Sequence, residues 1–200
     1  MARRPAVILI NPFEVPPDAD DAFAAGWDRA RAFLAARAAF RETTLHRALR
    51  ADIPLRFVNI ALIDAPATWR DAVGDPDFPG AAMPFAAHPA LYEVERKDGE
   101  SDGAGGVLLI QPFEVPDGED ERFLAGWEGV RERFAPRQGY LGTRLHRSLG
   151  PADFRFVAVV RWSSPLMVAR TLQQPEAERA IASMPFPGHP ALYLPHAGGP

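Results

Sequence analysis

Val7-Ile8-Leu9-Ile10-Asn11-Pro12-Phe13-Glu14-Val15-Pro16 is answered, at an offset of 100, by Val107-Leu108-Leu109-Ile110-Gln111-Pro112-Phe113-Glu114-Val115-Pro116. Residues 7–49 and 107–149 share 21 of 43 positions, including Gly26-Trp27 with Gly126-Trp127 and Leu45-His46-Arg47 with Leu145-His146-Arg147. The offset falls to 99 where Arg56-Phe57-Val58 meets Arg155-Phe156-Val157. It rises to 101 where Met83-Pro84-Phe85 and His88-Pro89-Ala90-Leu91-Tyr92 meet Met184-Pro185-Phe186 and His189-Pro190-Ala191-Leu192-Tyr193. The chain is a tandem duplication. A repeat of about 95 residues is too long for a solenoid unit, so each copy is domain-sized. The reading is a first domain over 1–95, a linker over 96–106 with the Gly-, Ser- and Asp-rich composition of a flexible connector, and a second domain over 107–200.

Bulk composition narrows the function. Among the 200 residues, 22 are basic and 26 acidic, a net charge of -4, which argues against a nucleic-acid or anionic-membrane partner. With 47% apolar residues the chain is globular rather than disordered. Cysteine is absent, which removes disulfides, thiolate nucleophiles, Fe–S clusters and zinc–thiolate sites together. Lys97 is the only lysine, so Schiff-base chemistry has almost no candidate. The N-terminal apolar run Val7–Ile10 is too short for an export signal, and no run reaches the roughly 18 residues of a membrane span. A cytoplasmic protein is expected.

Periodicity gives the elements. In the first copy Val7–Asn11 reads as a strand ended by Pro12, and a helix starts near Asp20 as N-cap. Phe23, Trp27, Ala30 and Leu34 form one apolar helix stripe, which makes Trp27, and Trp127 in the second copy, core residues. Strands follow at Phe40–Leu49 and Leu55–Ile63, a second helix at Pro66–Val73, and a last strand at Ala90–Glu95. The order β-α-β-β-α-β is the ferredoxin-like split motif. One such sheet leaves a face bare. The expectation is therefore α+β: two tandem ferredoxin-like domains packed sheet to sheet as an intramolecular, pseudo-dimeric α+β barrel, with a cavity between the sheets. The stretch Met83 to Pro89 suits a rigid arm that carries the last strand across to the other copy.

These motifs together resemble the antibiotic biosynthesis monooxygenase domain of the dimeric α+β barrel superfamily. The carriers are Asn11 to Pro16, Phe123-Leu124-Ala125-Gly126-Trp127, Thr143 to Leu149, Phe156 to Trp162 and Met184 to Tyr193. The resemblance implies oxidation of a phenolic polyketide or quinone intermediate with O2 and no metal cofactor, or with assistance from reduced flavin. It also implies a donor set for the enolate oxygen: a first-strand asparagine, a third-strand asparagine, and a tryptophan four residues later. An even spacing on a strand puts the last two on one face.

The set is split between the copies. The first has Asn11 and Asn59, with Ile63 at the tryptophan position; the second has Trp162, with Gln111 and Ala158 in place of the asparagines. The candidate catalytic residues are Asn11, Asn59 and Trp162. Gln111, Leu9, Phe57, Ile63 and His46 are the candidate substrate-binding residues. His46 shares a strand face with Glu42 and Thr44 and is a candidate general base. The five histidines show neither HxH nor HxxxH spacing, so no metal site is expected. The expected partner is a small aromatic substrate, with a homodimer of such pseudo-dimers as a further assembly. A polyketide cyclase using the same cavity, and a non-catalytic small-molecule-binding protein, are the competing readings. A haem degrader is disfavoured because residues 164–182 contain no histidine.

Overall fold

A computed structural model describes residues 7–100 and 105–196. The first six residues, the 101–104 part of the linker and the last four residues lie outside the described set. The contacts divide the chain into two units, residues 1–93 with 194–200 and residues 94–193.

In the first unit, β1 (Val7–Glu14) pairs antiparallel with β3 (Phe57–Ile63), Leu9 opposite Ala61 and Asn11 opposite Asn59. On its other side β1 pairs with the start of β5 (Ala90–Gly99) and with the two-residue β4 (Ala86–Ala87). β2 (Glu42–Ala48) pairs with β3, Leu45 opposite Asn59. Helices α1 (Asp20–Ala36) and α2 (Pro66–Val73) cover one face. Side chains alternate along a strand, and the odd-numbered residues of β1 and β3 take that face. Phe23 of α1 is fully buried between Phe13, at 4.8 Å edge-on, and Phe57, stacked at 4.5 Å. Burying such a ring contributes roughly 2–3 kcal/mol, and this trio anchors the helix to the sheet.

The second unit repeats the plan. β6 (Val107–Phe113) pairs with β8 (Phe156–Trp162), and β7 (Tyr140–Ser148) pairs with β8. Helix α3 (Asp120–Phe134) covers the sheet with α4 (Pro165–Leu172) and α5 (Pro175–Ala182), and β9 (Ala191–Pro195) follows. Phe123 sits between Phe113 at 4.8 Å and Phe156 at 4.4 Å. The same clamp pins each first helix. Arg56 grips both carboxylate oxygens of Asp20 at 3.0 and 2.7 Å and bonds the Ala48 carbonyl; Arg155 grips Asp120 at 3.0 and 2.7 Å and bonds the Ser148 carbonyl. Such forked pairs are the strong geometry for an ion pair.

Several expectations are corrected. The strands do not form two sheets stacked face to face. They form one antiparallel hydrogen-bonded sheet in the order β3-β2-β9-β6-β8-β7-β5-β1-β4, and β3 also pairs with β1, so the order closes on itself. The cause is the length of the last strand. β5 has 10 residues, and only Ala90, Leu91 and Tyr92 pair with β1; Val94–Gly99 belongs to the second unit. β9 divides in the same way after Tyr193. β5 therefore runs through residues 96–99, the start of the segment read as linker. Pro12 does not end the first strand: it stays in β1 opposite Val58, and its carbonyl accepts the His88 N–H at 3.0 Å. Asp20 is not an N-cap, because its carboxylate is committed to Arg56. β2 and β3 begin later than read, at Glu42 and Phe57. Among the described residues no helix is long and apolar enough to cross a membrane.

Candidate functional site

Each unit holds its own cavity, between its sheet and its helices rather than between two sheets. The first encloses about 200 Å³ and the second about 240 Å³. An apolar cavity of about 150 Å³ suffices for benzene, so each has room for a small aromatic ligand.

In the first cavity, β1 supplies Leu9 and Asn11, β3 supplies Asn59 and Ile63, and α1 supplies Trp27 and Arg31. Asn11 and Asn59 are directly opposed across the β1–β3 ladder. Asn11 Oδ1 is enclosed and has no hydrogen-bond partner. Asn59 is 8% exposed, and its Oδ1 accepts the Thr43 hydroxyl proton at 2.7 Å. That bond turns the Asn59 Nδ2 donors away from Thr43. An amide in an apolar wall costs free energy unless a partner meets it, so the wall is prepared for a polar ligand atom.

Three candidates are placed elsewhere. His46 is buried on the opposite sheet face, where its Nδ1 lies 3.3 Å from the Val58 carbonyl oxygen. Burial lowers its pKa and keeps the ring neutral. It does not reach the cavity, so it is not the base. Phe57 lies beneath Phe23 in the aromatic core. Trp162 is fully buried and does not line the second cavity; its ring meets Tyr140 at 5.6 Å and Phe134 at 6.3 Å. Gln111 does line the second cavity. Trp27 and Trp127, expected as core, are walls of the two cavities, although Trp127 is only 5% exposed.

Sequence reading missed Thr43, Arg31 and Trp69. Thr43 had a signal: Thr143 repeats it, and both line their cavities. Trp69 had none. It is the fourth residue of α2, and its counterpart in α4 is Val168. Trp69 packs against Ile63, whereas Val168 packs against Trp162. The bulky indole has changed sides between the copies, on the helix in one and on the strand in the other.

The second cavity has a polar rim that was also missed. Asp98 accepts the Tyr140 phenol at 2.6 Å, the Thr143 amide at 3.1 Å and Arg131 at 2.8 Å. Arg131 is further forked onto Glu128. These carboxylates, Glu128 first and then Asp98, raise the Arg131 pKa; burial, reinforced by Asp98, raises that of Tyr140. Tyr140 is thus a neutral phenol committed to Asp98.

No protein-family model matches the chain, and no curated protein sequence matches it. Solved structures do resemble it. An anthrone oxidase-like protein superposes with a TM-score of 0.66 at 15% identity, covering 96% of this chain and 91% of that one. A monooxygenase-like protein from Listeria innocua gives 0.53 at 12% identity, covering 97% and 96%. A ferredoxin-fold protein related to antibiotic biosynthesis monooxygenases, from Listeria monocytogenes, gives 0.52 at 14% identity, covering 96% and 95%. The chain shares its fold with the antibiotic-biosynthesis-monooxygenase-like proteins, as the sequence resemblance implied.

Proposed function

We propose that the first unit is an oxygenase of a small phenolic aromatic compound, working with O2 and no bound cofactor. The supporting observation is the opposed pair Asn11 and Asn59 in a largely apolar cavity, where Asn11 Oδ1 has no partner and the Thr43 bond to Asn59 Oδ1 leaves the Asn59 Nδ2 as the donor. The names of structural neighbours, monooxygenase-like and anthrone oxidase-like, point the same way.

The chemistry asks little of the protein. The bound phenol ionises, and Asn59 donates to the resulting oxyanion. Preorganised donors of this kind stabilise developing charge in a water-poor site. The phenol's proton goes to solvent, because among the described residues no carboxylate or imidazole lines this cavity. Arg31 in the wall favours the anion. The electron-rich ring carbon of the phenolate passes electrons to O2 and forms a carbon–oxygen bond, and the resulting peroxide anion takes a proton from solvent. The peroxide then loses water, leaving one oxygen atom as a carbonyl and the other in water.

Oxygen uptake with a panel of hydroxyaryl ketones, anthrone included, tests the reading. The wild type consumes O2, and Asn59→Ala lowers the rate about 100-fold. Equal rates in both proteins would refute it. Polyketide-like ring systems are the substrates favoured by the resemblance. Cyclisation without O2 is separated by the same measurement.

A further inference from the structure

The two cavities are similar in size and descend from one ancestor, yet their polar groups are opposite in availability. In the second cavity nearly every polar wall atom is already used. The Tyr140 hydroxyl and all three Arg131 nitrogens are tied to Asp98 and Glu128 at the rim. The Thr143 hydroxyl faces the Val159 carbonyl at 3.4 Å. Ala158 stands where the first cavity has Asn59. Among the described lining residues Gln111 alone has an uncommitted amide. The charges at the two rims also differ. Arg131 is outnumbered by Asp98 and Glu128, whereas Arg31 in the first cavity faces Asp28 alone at 3.5 Å. Nearby Arg96 is bonded to Glu95, which also holds Arg147.

We infer that the second cavity is a separate, non-catalytic binding site for a neutral aromatic molecule carrying one hydrogen-bonding group, which Gln111 receives. An anion finds there no cation free of carboxylates, because every Arg131 nitrogen is already held by Asp98 or Glu128. A phenol that must ionise to react is therefore held in its neutral form. The first cavity takes the anion and the second takes the neutral ring. This assignment does not depend on oxygenase activity in the first cavity.

Acetophenone, ethylbenzene and benzoate are the probes: similar shapes that are neutral with one acceptor, neutral with none, and anionic. Indole N–H resonances locate the binding, since Trp127 lines the second cavity and Trp27 and Trp69 line the first. Acetophenone shifts Trp127, and benzoate leaves it in place. Gln111→Leu, close in volume, weakens acetophenone about tenfold and ethylbenzene not at all. Ala158→Phe fills the space and abolishes the Trp127 response while O2 uptake in the first unit persists. The wild-type titrations stand even if that variant fails to fold. The inference is overturned if benzoate shifts Trp127 as acetophenone does. It is equally overturned if Gln111→Leu treats both neutral probes alike, or if acetophenone leaves Trp127 unmoved.

Discussion

The Thr43 hydroxyl donates to Asn59 Oδ1 across 2.7 Å, and this one bond decides which end of the amide looks into the first cavity. Thr43→Val keeps the shape and removes the donor. The amide is then free to turn its oxygen toward the substrate oxyanion. Turnover is expected to fall about tenfold, and Thr43→Ser to restore it. Residues acting as a unit are not additive, so Thr43→Val adds little to Asn59→Ala. Initial rates of O2 uptake across the four variants check this.

His146 gives the fold a pH dependence. It is buried with Nδ1 at 3.1 Å from the Val157 carbonyl, and desolvation pushes its pKa from 6.5 to about 4. The unfolded chain therefore takes up a proton that the folded chain refuses. Stability is complete above about pH 6.5 and declines as pH falls toward 4, where the folded ring also protonates. The loss at pH 5 relative to neutrality is about 2 kcal/mol. His46, shifted in the same direction, adds to it. Urea midpoints at pH 7.5 and pH 5 measure the sum, and His146→Gln flattens the dependence. An unchanged slope would show that the ring is solvated.

The exchange of indole between strand and helix predicts a compensating pair. Ile63→Trp alone crowds Trp69 and costs about 1–3 kcal/mol. Trp69→Val alone leaves a void and costs about 3 kcal/mol. Together they recreate the Trp162–Val168 arrangement, so the double variant is more stable than the sum of its parts by about 1–3 kcal/mol. Chemical denaturation of the four proteins gives the coupling directly.

The same pair marks how much the sequence disclosed. The repeat of sequence, the helix at Pro66–Val73 and the shared face of Asn59 and Ile63 were all readable, because duplication and strand alternation are local patterns. Which face carries the cavity was not. The alternation that groups Asn59 with Ile63 also groups His46 with Glu42 and Thr44, and says nothing of which set meets the helices. Trp162 matched a strand position but is spent on packing against Tyr140 and Phe134, a contact set by α3 and by the turn before β7. Pro12 suggested a strand end, yet only its missing N–H matters, and its carbonyl still bonds His88. Asp98 sat in a stretch with linker composition, and its partners lie 33 to 45 residues away.

Asp98 supplies the last prediction. One carboxylate accepts the Tyr140 phenol, the Thr143 amide and Arg131, three donors from two elements of the second unit. Asp98→Ala strands the Tyr140 phenol and the Thr143 amide in a half-buried place and leaves Arg131 with Glu128 alone. Removing one partner of such a group costs more than the bonds themselves contribute, and about 3 kcal/mol is expected. Asp98→Asn keeps an acceptor for Tyr140 or Thr143 but loses the charge facing Arg131, so it costs about 1–2 kcal/mol. Tyr140→Phe removes a single donor and leaves Asp98 with Arg131; it costs about 1 kcal/mol, and Phe40 already occupies the equivalent position in the first copy. Urea denaturation should therefore rank the variants Asp98→Ala, Asp98→Asn, Tyr140→Phe from most to least damaging. A flexible linker residue would give three midpoints like the wild type, and residues 96–99 would then have no part in holding the second cavity's rim.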